Sequence, residues 1–264
     1  FCPDGQERVE QLTVDAEPWQ EVLTPVTDRT AEQVVETYLH VIGGRERIAP
    51  LHHLRWVYTA LHNGGTAERN EWFALGRYRM RQVQDSEVVE EITYDGSRVW
   101  YADGVNAGEL TDAGLEMVQL RGLPVPELGQ PNVLEGRKLL GTTDLNGNKV
   151  YKLALTLPSG NTIHQYFDVE SGLKVRELQD LYLNGRAYQQ VTDFSGYRPI
   201  GGVLFPHQIV EHGGPAGTVE WNLTSSKVNE AMPPNHFTVV IPEVPDSPVP
   251  PELLPPEYTP NAEE

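Results

Sequence analysis

The side chains with most chemical potential are eight histidines, a single cysteine, Ser195, and the acids of Asp168-Val169-Glu170-Ser171-Gly172. Metal binding needs imidazoles that converge. His52 and His53 are adjacent, so on a strand they point to opposite faces, and no HxH or HxxxH pair sets two histidines on one side. Ser195 in Phe194-Ser195-Gly196 lacks the GxSxG elbow and leads from a strand into a turn. Asp168 and Glu170 have the composition of a chain reversal, with Asp and Gly in turn positions. No glycine-rich loop opens a helix after a strand, which argues against a nucleotide phosphate site. Residue chemistry therefore nominates no catalytic group, no metal and no cofactor.

Cys2 cannot form an internal disulfide, and without a second thiol there is no thiolate metal cluster. It reads either as an inert thiol or as the lipid-bearing cysteine of an envelope lipoprotein, although Phe1 precedes it. The chain opens without Met, as a processed or trimmed sequence would. A net charge of -18 argues against nucleic acid and against docking on anionic lipid by charge. No apolar run approaches the roughly 20 residues that cross a bilayer as a helix.

What remains is an aromatic and apolar inventory: Trp56, Tyr58, Trp72, Tyr78, Met80, Trp100, Tyr151, Leu153, Phe167, Phe205 and Trp221. Such residues could fill a core, or they could line a pocket for an acyl chain or apolar peptide. Burial is worth roughly 0.8 kcal/mol per methylene, so an acyl chain can be held without a polar motif.

The elements that position this inventory are mostly strands. Thr30-Ala31-Glu32-Gln33 matches a capping box, Val34, Tyr38 and Ile42 mark one helical face, and Gly43-Gly44 ends the helix. Arg45 to Leu51 fits a second helical turn. From Leu54 the period becomes two: Trp56, Tyr58 and Ala60 share a face, Asn63-Gly64-Gly65 turns the chain, and the next strand carries Trp72 or Phe73 inward. Arginine and apolar residues alternate through Arg77 to Arg81, and Asp95-Gly96 joins two further strands. Gly104 to Gly141 breaks this rhythm, with a possible helix at Thr111 to Leu120, and reads as a lid, a plug or a plain surface excursion. Strands resume at Asn148. Asn161 to His212 then forms a run of hairpins punctuated by Glu170-Ser171-Gly172, Asn184-Gly185 and Gly201-Gly202, with Phe205, His207 and Ile209 on one parity. Val219, Trp221 and Leu223 alternate again, and Phe237-Thr238-Val239 reads as a last short strand. Residues 1–26 read as a flexible leader. Residues 242–264, with eight prolines and several acids, read in composition as a Pro-rich, acidic, disordered tail.

Three stretches resemble a known family: Val41-Ile42-Gly43-Gly44-Arg45-Glu46-Arg47-Ile48, Tyr166-Phe167-Asp168-Val169-Glu170-Ser171-Gly172-Leu173, and Asp193-Phe194-Ser195-Gly196-Tyr197-Arg198-Pro199-Ile200-Gly201-Gly202-Val203-Leu204-Phe205-Pro206. The last is similar to a D-Y-R-x-V-G-G-V-x-x-P strand and turn of the outer-membrane lipoprotein-sorting, LolA-like superfamily. The resemblance covers about Thr30 to Val240. It implies a mainly β (α+β) fold: a curved antiparallel half-barrel of about eleven strands, wrapped around N-terminal and inserted helices, spanning residues 27–241. It further implies a non-enzymatic protein of the periplasm or extracytoplasmic envelope. Its partners would be lipid or the acyl chains of a lipoprotein, or else an envelope protein, and a monomer is expected.

Overall fold

The computed structural model describes residues 21–239, except 63, 75, 105, 130–135, 184–185 and 215–216. Cys2, most of the proposed leader and the Pro-rich tail lie outside the described residues. Helix α1 (Ala31–Val41) starts as its sequence dictates: Thr30 Oγ1 accepts from the Gln33 N–H, and the Gln33 side chain accepts from the Thr30 N–H. It stops at Gly43 and Gly44, both at positive φ, where Gly44 N–H reaches the Leu39 carbonyl. A single turn, α2 (Arg45–Ile48), follows.

Fifteen strands come next among the described residues: β1 (His53–His62), β2 (Gly65–Ala74), β3 (Arg77–Gln84), β4 (Glu87–Tyr94), β5 (Val99–Ala102), β6 (Ala107–Leu110), β7 (Arg137–Leu145), β8 (Asn148–Thr156), β9 (Thr162–Asp168), β10 (Lys174–Leu183), β11 (Arg186–Ser195), β12 (Arg198–Ile200), β13 (Val203–Phe205), β14 (Gln208–Gly214) and β15 (Gly217–Val228). Thirteen form one antiparallel sheet, ordered β6-β5-β4-β3-β2-β1-β15-β14-β11-β10-β9-β8-β7, and β12 with β13 makes a separate hairpin. The sheet is curved and does not close into a barrel. It has thirteen strands where the resemblance implies about eleven, and β6 and the start of β7 lie inside the stretch 104–141 whose rhythm breaks in the sequence. Phe237-Thr238-Val239 is not a strand; residues 234–237 form a turn. Phe205 and Ile209 belong to different strands, since Pro206 supplies no ladder donor between them.

Two meanders meet at the β1·β15 pair in the middle of the sheet. β1 to β6 run outward to one edge, and β7 to β11 run inward from the other. The chain therefore has to travel from one edge to the other between β6 and β7. Helix α3 (Asp112–Arg121) and a 3₁₀ turn (Pro126–Leu128) lie in that crossing. Val118 and Val125 from it join the main core with Val34, Val35, Tyr38 and Leu39 of α1. Gly122 packs where a β-carbon would come within 2.9 Å of Tyr78 Cβ. So both α1 and α3 cover the same face of the sheet, with Tyr38 set edge-on to Phe167 at 5.4 Å. At the β7 edge, Thr24 exchanges both backbone hydrogen bonds with Thr142, which blunts that free edge.

Candidate functional site

Alternation sorts each strand's side chains onto two faces. On the covered, concave face stand Leu54, Trp56, Tyr58 and Ala60 of β1, Ala67 and Phe73 of β2, Tyr78 and Met80 of β3, and Val219 and Trp221 of β15, all buried in one cluster. Leu153 of β8, Phe167 of β9 and Phe205 of β13 join it as buried members, and Tyr151 packs against it partly buried. Trp56 is the hub, with ring centroids 4.6 Å from Phe73 and 5.0 Å from Phe205. Eight of the eleven residues singled out from sequence thus share one face of the sheet, and Phe205 packs against it from the β12–β13 hairpin. Trp72 and Trp100 do not. Trp72 sits opposite Arg55 and Arg79 in the ladder, and Trp100 opposite Thr93 and Glu109, both on the convex face and both partly buried.

The concave face is not wholly apolar. Arg69 and Glu71 fall between Ala67 and Phe73 on the same parity of β2, and so point inward. Arg69 forms a bidentate pair with Glu211 of β14, both bonds 2.9 Å, and its guanidinium lies over the Trp221 ring at 4.1 Å. Trp221 Nε1–H donates to Glu211 Oε2 at 3.0 Å. Burial alone would raise the Glu211 pKa, but the Arg69 charge and these donors hold it down at about 2. Glu71 fares differently. Burial raises it, and Arg69 only partly offsets this because its fork is committed to Glu211. Glu90 of β4 is raised for the same reason.

A second charged group holds the crossing segment to the sheet. Lys174 Nζ donates to Glu127 Oε1 of the 3₁₀ turn at 2.7 Å and to Glu177 Oε1 at 2.9 Å. Gln165 Nε2 also donates to Glu177, at 3.0 Å. A register shift between Lys174 and Arg176 puts Lys174 and Glu177 on one face despite their spacing of three. Burial opposes the Lys174 charge, and the two carboxylates more than reverse this, so its pKa is raised. Sequence reading missed these groups because Arg69, Glu71, Lys174 and Glu177 lie in segments with polar residues on both parities. Their parity relative to Ala67, Phe73 and Phe167 was the available signal.

Among the described residues, no three His, Cys, Asp or Glu side chains are grouped to hold a metal ion, and no helix is long and apolar enough to cross a membrane. Two open depressions, of about 560 and 350 Å³, are lined by the outer side of α1 (Gln33, Glu36, His40) with Asp28 and Arg29 before it, and by the β7 edge (Thr142, Thr143) respectively; neither involves the concave-face aromatics.

No protein-family model and no curated protein matches the sequence. Solved structures do match by shape. A LolA superfamily protein from Nitrosomonas europaea superposes with a TM-score of 0.50 at 13% identity, covering 80% of this chain and 98% of its own. An outer membrane lipoprotein-sorting protein domain from Vibrio parahaemolyticus gives 0.49 at 12% identity, covering 79% and 97%. A DUF1329 family protein from Desulfovibrio piger gives 0.48 at 12% identity, covering 78% and 96%. The fold of this chain is LolA-like.

Proposed function

We propose that the protein is a non-enzymatic binding protein of the cell envelope that holds a hydrophobic ligand, the acyl chains of a lipid or lipoprotein, against the concave face of its sheet. One observation carries this reading: Trp56, Tyr58, Tyr78, Met80, Phe167 and Trp221 form a single apolar surface on the large sheet, roofed by the helices and by the small β12–β13 hairpin that adds Phe205. A sheet bonds to its neighbours along every strand, whereas α1 and α3 are held to this face by side-chain packing and one buried ion cluster. The roof is thus the part of the fold that a ligand can displace or slide beneath. The LolA-like fold supports the envelope location and the ligand class. Trp56, Tyr58, Tyr78, Met80, Tyr151, Leu153, Phe167, Phe205 and Trp221 are the residues assigned to contact it. Trp72 and Trp100, which face the other way, are not.

Native mass spectrometry of protein purified from its own envelope fraction, before and after organic extraction, tests the ligand class. The expected result is a mass excess that extraction removes, with acyl species in the extract. Co-purification of a defined protein, with no lipid, would replace this reading with that of a protein-interaction module.

A further inference from the structure

One carboxylate on the concave face comes from the roof and not from the sheet. Glu127 stands on the 3₁₀ turn of the crossing segment, yet it is only 1% exposed. Its side chain ends among strand residues: Oε1 accepts from Lys174 Nζ at 2.7 Å and from Gln165 Nε2 at 3.4 Å. The fit is half made. Among the described residues Glu127 Oε2 has no hydrogen-bond partner, and neither has Oε1 of Gln165, which is fully buried beside it. Arg137 directs both terminal nitrogens to the Glu127 backbone carbonyl, each at 3.3 Å, and not to the carboxylate. Glu211 shows the contrast, with Oε1 and Oε2 both bonded to the Arg69 fork and Oε2 also to Trp221. A buried carboxylate is held firmly when its remaining lone pairs are filled, and Glu127 lacks that.

The place that Glu127 occupies is built by the sheet. Lys174 is also paired with Glu177 at 2.9 Å, and Gln165 Nε2 donates to the same Glu177 oxygen at 3.0 Å. These bonds do not involve the roof, so they hold Lys174 and Gln165 in position without Glu127. Apolar side chains begin at once beside them: Leu153 is directly opposite Gln165 in the β8·β9 ladder, and Phe167 lies two residues along on the same face. A cation and an amide donor thus stand at the foot of a surface suited to an acyl chain.

We infer that Glu127 is an internal stand-in for the carboxylate of a fatty acid. On binding, the ligand's carboxylate takes the Glu127 position against Lys174 Nζ and Gln165 Nε2, its chain lies over Leu153 and Phe167, and the 3₁₀ turn carries Glu127 out into water. This rests on the reading of the concave face as an acyl-chain site and adds the head group to it. The exchange keeps one carboxylate opposite Lys174, so the charge of the buried group is the same before and after. A neutral head group that displaced Glu127 would leave Lys174 with Glu177 alone, and losing one partner of a buried pair is costly. The desolvation of the incoming carboxylate is offset by the hydration that Glu127 regains.

The test uses the full chain, delipidated, with oleate and oleyl alcohol as probes of equal chain length below their aggregation concentrations, and reads dissociation constants from tryptophan fluorescence. Wild type is expected to bind oleate about tenfold tighter than oleyl alcohol, the discrimination that one charge-assisted bond supplies. Glu127→Gln, which weakens the stand-in while keeping its shape, is expected to tighten oleate binding severalfold. Adding Lys174→Met to that variant removes a cation together with the acid it faced, and should abolish the preference for oleate. The inference is overturned if oleyl alcohol binds as tightly as oleate, or if Glu127→Gln leaves oleate binding unchanged or weaker; these arms stand even where the double variant does not fold. A preference for oleate that survives in a folded double variant would also overturn it. Binding of neither probe would bring down the acyl-chain reading itself, whereas equal binding of the two sinks only the Glu127 exchange.

Discussion

At the residue scale, the concave face combines aromatic packing with two buried charge groups, and each has a measurable signature. Lys174→Met leaves the buried Glu127 and Glu177 carboxylates without their shared cation. The expected loss is about 3–5 kcal/mol in urea unfolding, since removing one partner strands the other. For Glu211 the sign follows from its pKa of about 2 against an ordinary 4.5. A carboxyl depressed in the folded state contributes stability that is whole above 4.5 and is lost as pH falls toward 2. Comparing wild type with Glu211→Gln across that window should therefore show a gap at pH 5 that narrows steadily on acidification. Glu71 has the opposite sign. Burial raises its pKa, so its ionisation works against folding as pH rises. Glu71→Gln is expected to raise the urea midpoint at pH 7 and to leave it unchanged well below pH 4.5.

At the element scale, α1 is tied down by a cap at one end and a ring contact in the middle. Thr30→Ala removes the capping box and should cost about 1 kcal/mol. Phe167→Ala removes the ring beneath Tyr38 and should cost about 3–5 kcal/mol. Chemical denaturation of both variants checks this ordering. The sequence announced α1 fully, because its cap, its apolar stripe and its glycine stop are all local. It announced most strands through alternation and the turns at Asp95-Gly96 and Gly201-Gly202. It did not announce β6, whose Ala107-Gly108-Glu109-Leu110 has almost no β-forming residues and is held by its partner β5. Nor did it decide between Trp72 and Phe73, since two adjacent aromatics fit either parity. In Val99-Trp100-Tyr101 a run of three apolar residues likewise hides which one faces out.

At the scale of the whole molecule, the topology explains why an unclosed sheet has a roof. Its two edges, β6 and β7, are consecutive in the chain, so the connection between them has to span the concave side. That crossing brings α3 and Glu127 over the aromatic face and anchors them to Lys174. An antiparallel sheet with one apolar face was legible from hairpin spacing and apolar parity, while its curvature around helices was what the resemblance to the LolA-like superfamily implied. The charge groups inside it were not legible, because each is assembled from strands far apart in sequence, as with Arg69 and Glu211.

The most direct test of ligand binding on the concave face uses the tryptophans as reporters of the two sides. In variants that each retain one of Trp56, Trp221, Trp72 or Trp100, fluorescence would be followed while a fatty acid brominated on its acyl chain is added. Quenching of Trp56 and Trp221, with Trp72 and Trp100 unaffected, is the predicted result. Saturable quenching confined to Trp72 and Trp100, or none at any of the four, would contradict it.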